Sequence, residues 1–279
     1  MGFFDFFKRK TPHLTVRFSE AADQKRVLDF YKNNKNKFVD LRKEEIWNER
    51  TRNGRIIIAE DHNKNIGFMA AAYDFEQDGQ IKWIEVGSIL REQNPDKDSY
   101  KMIKGITLYP YMIASLVINE FLNHTPEDKI IANVYDDNPG GIYLMNTKTG
   151  WGFFEPEHEI LVACKATKDN AGHHATATRL WLTATTDTLP FQARLVLQMI
   201  DNDSTTGLFN RISQKHVPIE ISRFSLANEF YNAVQTLAKG SFARELENNP
   251  HMGMKPARDM LEKHMKSPLQ SSQFLRKHP

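Results

Sequence analysis

The feature that most restricts the fold is a long apolar helical pattern between two strand patterns near the middle of the chain. First comes the strand pattern "IKWIEVGSILRE", then the helical pattern "LYPYMIASLVINEF", and then the strand pattern "DKIIANVYDDN". A strand, a helix and a strand in this order predict two parallel neighbouring strands joined by a crossover. The helix carries an apolar stripe that predicts a core position, formed by Leu108, Met112, Ile113, Leu116, Val117 and Phe121.

The flanking segments extend this unit into a larger sheet. Upstream, a strand is predicted in "HLTVRFSEA", two helices in "ADQKRVLDFYKNN" and "LRKEEIWNERTRNG", and two strands in "RIIIAEDHNKNIGFMAAAYDF". Downstream we expect a short helix in "PGGIYLMNTKTGW" and a hairpin of "EHEILVACKATKD" with "HATATRLWLTATT". The predicted fold class is α+β, a mixed α/β sheet over residues 13–186. Gly87, inside its strand, predicts a bulge or a close backbone approach.

The two ends of the chain differ from this middle part. Residues 187–279 show helical spacing in "TLPFQARLVLQMI", "SRFSLANEFYNAVQTLAKG" and "KPARDMLEKHMK", which predicts a mostly helical C-terminal extension. Residues 1–12 form a leader in which Phe3, Phe4, Phe6 and Phe7 precede a basic run. The leader lacks the long apolar region of a signal peptide. A mobile leader, or a short segment docked on its own domain, is favoured, and a segment that presses its phenylalanines into a membrane or partner surface is the alternative.

Composition narrows the function classes. The chain has 279 residues, of which 40% are hydrophobic, and its formal net charge of +2 predicts no dominant attraction to nucleic acid or membrane. Its single cysteine, Cys164, lies in an apolar run and cannot form an internal disulfide. A small buried residue in a reduced, cytoplasmic protein is the favoured interpretation, and a nucleophile is the alternative.

Two segments carry a resemblance to a known family. The turn "KMIKGIT" precedes the central helix, and the run "NVYDDNPGGIYLMNTKTGW" follows the next strand. With the order of elements, they make residues 13–186 resemble the GNAT superfamily of N-acetyltransferases. In that family the helix opens with a Gln/Arg-x-x-Gly-x-Gly/Ala turn. Gly105 matches the first glycine, whereas Met102 and Thr107 depart from the pattern.

The resemblance implies a binding site for acetyl-CoA as co-substrate. The pyrophosphate would lie on the turn and the helix start, because unpaired N–H groups and the helix dipole attract anions there. The residues implied are Lys104, Gly105, Ile106 and Thr107, with Thr107 as a fair N-cap. The pantetheine arm would pair with the backbone of Ser88, Ile89, Leu90 and Arg91, and Asn138 begins the second motif. The alternative is an ordinary turn that leads into a core helix.

The resemblance also implies catalytic groups. Glu85, flanked by Trp83, Ile84 and Val86, is the candidate base for an amine, and a solvated residue on the outward face of the strand is the alternative. The family's tyrosine that protonates the departing thiolate is missing. Counting forward from Asn138 reaches Met145, and counting back from Gly150 reaches Asn146, because the spacing is one residue longer than usual.

The function that follows is an acetyl-CoA-dependent N-acyltransferase. The partners would be an acyl-CoA and an amine-bearing small molecule or protein, and a homodimer is left open. Two alternatives remain from the same residues. One is a GNAT-like acyl-CoA-binding protein that has lost catalysis, and the other is a protein-interaction scaffold whose leader contacts a membrane.

Overall fold

The computed structural model describes the chain in eight segments: residues 13–39, 42–92, 105–162, 179–200, 208–210, 215–217, 220–222 and 228–265. The leader with its phenylalanines, Lys104 and Cys164 lie outside these segments. Within them, none of the helices combines the length and the apolar character that crossing a membrane requires.

The elements appear in the predicted order up to the seventh strand. The first six are β1 (His13–Phe18), α1 (Gln24–Asn34), α2 (Glu44–Arg52), β2 (Ile56–Glu60), β3 (Ile66–Gln77) and β4 (Gln80–Arg91). Then follow α3 (Gly105–Asn123), β5 (Lys129–Tyr135), α4 (Pro139–Ile142), β6 (Gly152–Phe153) and β7 (Arg179–Ala184). The rest are α5 (Leu189–Ile200), β8 (Leu208–Asn210), β9 (Lys215–Val217), β10 (Glu220–Ser222), α6 (Asn228–Ala238), α7 (Gly240–Glu247) and α8 (Met254–Met265).

The strands form a mixed sheet, which confirms the predicted fold class. Eight strands pair in the order β10-β1-β2-β3-β4-β5-β7-β6, and β8 and β9 form a separate hairpin. The pair β4–β5, on either side of α3, is parallel as predicted. The pair β1–β10 is also parallel, and it joins the C-terminal segment to the first strand.

One predicted strand is wrong in the part that the structure describes. The segment "EHEILVACKATKD" was expected to be a strand, but residues 158–162 are helical. The strand that pairs with β7 on its outer edge is β6, through Gly152 and Phe153. Ile160 is buried while Leu161 and Val162 are exposed, so this segment does not present the alternating face that a half-buried strand needs.

Helices cover both faces of the sheet because strand side chains alternate between them. Ile57 and Phe68 point into the cluster shared with α3 and the C-terminal helices. Ile58 and Met69 point into the cluster shared with α1 and α2. All six residues of the predicted apolar stripe on α3 are fully buried. The helices α5 to α8 contribute residues to the same apolar cluster as α3.

A buried ionic network crosses from the sheet to α3. Arg55 donates to Glu120 at 2.7 Å and to Asp74 at 2.6 Å, and Arg50 also pairs with Asp74. Burial alone would raise the pKa of Asp74, but the hydrogen bond from Arg50 and the charge of Arg55 outweigh it and lower that pKa. The network therefore holds the Asp74 carboxylate ionised, with Arg50 and Arg55 as its buried partners.

Candidate functional site: a notch between two parallel strands

The central feature of the site is the separation of β4 from β5. Their ladder contains three residue pairs and ends at Glu85 with Ile131. The outer ladders continue, since β3 pairs with β4 as far as Arg91 and β7 pairs with β5 as far as Tyr135. Among the described residues, the facing edges of β4 and β5 are therefore not paired with each other beyond Glu85, and a notch opens in the sheet.

A bulge in β4 accompanies this separation. Met69 and Ala71 on β3 pair with Leu90 and Gly87 on β4, so two residues of β4 oppose one residue of β3. Ser88, inside the bulge, has a φ of 48°, a left-handed conformation that is uncommon for a residue other than glycine. A bulge bends the strand that carries it. The bulge that Gly87 predicts is thus confirmed.

A cavity of about 330 Å³ passes through the notch. The loop after α1, the helix α3 and the segment after α4 contribute to its lining. The lining includes three of the predicted residues, Ser88, Ile89 and Asn138. Two others do not line it: Leu90 is fully buried in the cluster with α1 and α2, and Arg91 lies one residue further along β4.

The predicted phosphate turn is described only in part. Gly105 is the first described residue of α3, followed in the helix by Ile106 and Thr107. Thr107 is therefore the third residue of the helix, and the expectation that it caps the helix is wrong. Gly105 stays a prediction as a residue of close approach to phosphate, as do its neighbours.

Glu85 is buried, so the alternative of a solvated residue on the outward face of the strand is wrong. It is 5% exposed, and its carboxylate has two partners. Arg42 Nη2 lies 3.0 Å from Oε2, and Asn133 Nδ2 donates to Oε1 at 2.8 Å. Arg42 also lies over the ring of Tyr73, 3.6 Å from its centroid. An ionised carboxylate has about four acceptor positions, so these two bonds leave capacity for a further donor.

A second polar contact links β3 to the bulge. The Tyr73 hydroxyl donates to Ser88 Oγ at 2.6 Å. Burial raises the pKa of Tyr73 to about 12, although the nearby Arg42 charge and the bond to Ser88 lower it. Tyr73 is therefore a protonated donor at neutral pH. The Ser88 hydroxyl, which lines the cavity, accepts from Tyr73 and keeps its own proton for another acceptor.

The wall formed by β5 is polar and aromatic. Asn133 Oδ1 accepts from Arg179 Nη1 at 2.6 Å, and Arg179 Nη2 donates to the Tyr135 hydroxyl at 2.5 Å. The Arg179 guanidinium also stacks on the Tyr135 ring at 3.8 Å. Phe38, from the loop after α1, packs against the same ring at 6.1 Å between centroids. Arg179 thus orients two side chains that line the cavity, Asn133 and Tyr135.

In the motif after β5, the structure shows which residue lies at the cavity, where the resemblance implies a tyrosine. The Asn138 side chain accepts from the Gly141 N–H at 3.0 Å and so caps α4. The helix continues as a π-helical turn over Tyr143–Lys148, and a π-turn accommodates one residue more than an α-turn. Met145 is fully buried and lines the cavity. Asn146 turns away and donates to the Trp151 carbonyl at 2.8 Å. Of the two residues reached by counting, Met145 therefore lies at the cavity and Asn146 does not.

Besides Tyr135 on β5, a tyrosine of α3 lines the cavity. Tyr109 is 6% exposed, and its ring packs edge-on against Phe68 at 5.6 Å. Within the described part of the chain, its hydroxyl is buried without a hydrogen-bond partner. Burial raises the pKa of Tyr109 above its ordinary value, against the opposing charge of Arg91.

Sequence reasoning missed several residues of this site. Arg42 and Asn133 bind Glu85 across 43 and 48 positions of sequence, and no local pattern announces such pairs. Asn133 does interrupt an otherwise apolar strand, which is a usable signal. Tyr109 is also marked in the sequence, since its polar hydroxyl lies within a helix that is apolar around most of its circumference.

Comparisons with known proteins give matches among solved structures alone. No protein-family model matches the chain, and neither does any curated protein. The phosphinothricin acetyltransferase of Sinorhizobium meliloti, solved with acetyl-CoA, is 18% identical over 61% of this chain and 87% of its own, with a TM-score of 0.40. The diaminobutyrate acetyltransferase of Paenibacillus lautus, solved with its substrate and coenzyme A, is 15% identical over 61% and 94%, at 0.39.

A third structure agrees with these two. The ribosomal-protein-S5-alanine acetyltransferase of Vibrio fischeri is 14% identical over 62% of this chain and 92% of its own, with a TM-score of 0.42. The chain, for which the sequence predicts a GNAT-like segment, is thus similar to these solved structures over about 61% of its length. Identities and TM-scores this low do not establish membership of the family, and they do not assign an activity.

Proposed function

We propose that the chain is an acyl-CoA-dependent N-acyltransferase whose acyl donor binds in the notch. The observation that carries the proposal is the separation of β4 from β5 beyond Glu85, with a cavity through the opening. A narrow cavity walled by two strand edges suits an extended ligand with amide groups, because such a ligand can pair with backbone as a strand does. Acetyl-CoA, the proposed co-substrate, would supply a thioester and such an amide-bearing arm.

The chain's own residues would bind and orient the reactants. The backbone of the bulge at Ser88 and Ile89 would face the arm, and the start of α3 at Gly105 would face the pyrophosphate. Backbone N–H groups of β4 would stabilise the negative charge that develops on the carbonyl oxygen. The amine acceptor would enter from the side of the cavity that the loop after α1 lines, where Phe38 and Tyr135 lie.

Glu85 is the proposed proton acceptor. In the reaction the amine nitrogen bonds to the thioester carbonyl carbon, the carbon–sulfur bond breaks, and the amine proton passes to Glu85 directly or through a water molecule. The thiolate then takes a proton from water. Arg42 and Asn133 hold the carboxylate in one orientation, which favours proton transfer because geometry comes before basicity.

Calorimetric titration with acetyl-CoA tests the binding step. We expect micromolar affinity, weakened by Gly105→Glu, because a carboxylate at the helix start repels the pyrophosphate. The absence of binding by the unaltered protein would overturn the proposal.

Thiol release tests the catalytic step, measured with a panel of amino acids, polyamines and lysine-containing peptides. Glu85→Gln is expected to lower turnover by about a hundredfold or more, the usual effect of losing a general base, and to leave the dissociation constant for acetyl-CoA within about twofold. Glu76→Gln, an exposed glutamate on β3, is the matched control and should change neither. Unchanged turnover in Glu85→Gln would remove Glu85 from this role, and binding without turnover on any amine would favour a protein that binds acyl-CoA without catalysis.

A further inference from the structure

Within the part of the chain that the structure describes, the hydroxyl of Tyr109 is a buried hydrogen-bonding group without a partner. The residue is 6% exposed, and no described group forms a hydrogen bond with its hydroxyl oxygen. Leaving a buried hydroxyl unpaired costs stability. Phenylalanine has the same shape without that cost, so a tyrosine here favours a partner beyond the described residues, and the cavity that Tyr109 lines offers room for one.

The position of Tyr109 states where that partner lies. The residue lines the cavity in the notch, together with Val86 and Ile89 of β4 and Met145 from the π-turn. Its ring is fixed edge-on against Phe68, and Phe68 pairs with Arg91 at the far end of β4. Glu85 lies at the opposite end of the same stretch of β4. Tyr109 is therefore placed along the cavity, toward the helix start and away from the proposed proton acceptor.

We propose that the Tyr109 hydroxyl donates a hydrogen bond to a carbonyl oxygen in the amide-bearing arm of the acyl-CoA. The inference rests on the proposed function and adds a positioning residue to it. The raised pKa of Tyr109 keeps its hydroxyl protonated at neutral pH, so the hydroxyl can donate a hydrogen bond. The backbone of β4 would then bind one edge of the arm. The Tyr109 side chain would bind the arm from the face of the sheet that α3 covers.

The test compares Tyr109→Phe with the unaltered protein in two ligands. Acetyl-CoA contains the arm, whereas adenosine 3′,5′-bisphosphate keeps the nucleotide and two of the three phosphates without it. Calorimetric titration should show acetyl-CoA bound about five- to twentyfold more weakly by Tyr109→Phe, the effect of one lost hydrogen bond in a buried site. The affinity for adenosine 3′,5′-bisphosphate should stay within about twofold. The ligand-free variant should melt at the same temperature or higher, since an unpaired buried hydroxyl has been removed.

Tyr111→Phe is the matched control. Tyr111 lies on the same helix, packs against the same apolar cluster, and is not among the residues that line the cavity. Its substitution should leave both affinities unchanged.

The other outcomes overturn the inference in different ways. Equal acetyl-CoA affinity in Tyr109→Phe and the unaltered protein overturns it while the proposed function stands. Equal weakening of both ligands, or a melting temperature several degrees lower, assigns the hydroxyl a structural role instead. If the unaltered protein binds the bisphosphate but not acetyl-CoA, or neither, the proposed function fails and this inference fails with it.

Discussion

Removal of the Arg42 charge should destabilise the protein strongly, because it leaves a buried carboxylate without its counter-ion. The side chains of Arg42 and Glu85 are 5% and 7% exposed and meet at 3.0 Å. Breaking such a pair by removing one partner costs about 3–5 kcal/mol. The stacking of Arg42 on Tyr73 at 3.6 Å contributes up to about 2 kcal/mol when desolvated.

Methionine is the substitution that isolates the charge. Its buried side chain returns about 1.5–3 kcal/mol of apolar burial, and Glu85 keeps its bond from Asn133. Arg42→Met should therefore lower the free energy of unfolding by about 3 kcal/mol. That is a large share of the 5–15 kcal/mol typical of a folded domain. Urea unfolding followed by far-ultraviolet circular dichroism and by tryptophan fluorescence measures the change.

Two further variants decide whether the reasoning is correct. Arg52→Met, an exposed arginine on α2, should change stability by no more than about 0.5 kcal/mol. Arg42→Met combined with Glu85→Met should be more stable than Arg42→Met alone, because an apolar pair replaces an isolated charge. A loss below about 1 kcal/mol in Arg42→Met would refute the argument, since an effect of that size is typical of a solvent-screened surface pair. A double variant less stable than the single one would refute it as well.

Two other predictions concern stability. Burial lowers the pKa of His124 below its ordinary value, aided by Arg55 and opposed by Glu120; the unfolded chain then binds this proton first, so the free energy of unfolding should fall as pH drops through about 6.5. His124→Gln should flatten that slope in urea titrations between neutral and mildly acidic pH, and an unchanged slope would contradict the assignment. Gly141→Ala should cost about 1–3 kcal/mol by overpacking, because its Cβ would lie 2.7 Å from Asn138 Nδ2 and 2.9 Å from Val134 Cγ1. Gly140→Ala, whose Cβ would meet nothing closer than 3.8 Å, is its control, and equal costs would contradict the packing argument.

The fold could be predicted wherever the apolar pattern has a single period. In β2 and β3, successive residues alternate between two buried faces, and the stripe on α3 repeats at helical spacing, so both element types are visible in the sequence. The segment at residues 158–162 failed this test because Ile160 is buried in a small cluster while the next two apolar residues are exposed. A short apolar run of this kind does not separate helix from strand.

The site was predictable only in its backbone part. Gly87 marks the bulge, and Ser88, Ile89 and Asn138, for which cofactor binding stays a prediction, line the cavity. The partners of Glu85 could not be predicted, because Arg42 reaches it from the segment before α2 only after both faces of the sheet are packed. The π-turn could not be predicted either. Counting forward from Asn138 reaches Met145 and counting back from Gly150 reaches Asn146, and only the structure shows that Met145 lines the cavity.

The separation of β4 from β5 has a consequence for how the protein avoids unwanted assembly. Unpaired strand edges usually lie at the rim of a sheet, where they can recruit strands from other molecules. Here two such edges face each other in the interior of an eight-stranded sheet, and elements on both faces line the space between them. These edges are therefore enclosed within the sheet and do not lie at its rim, where strands of other molecules are recruited.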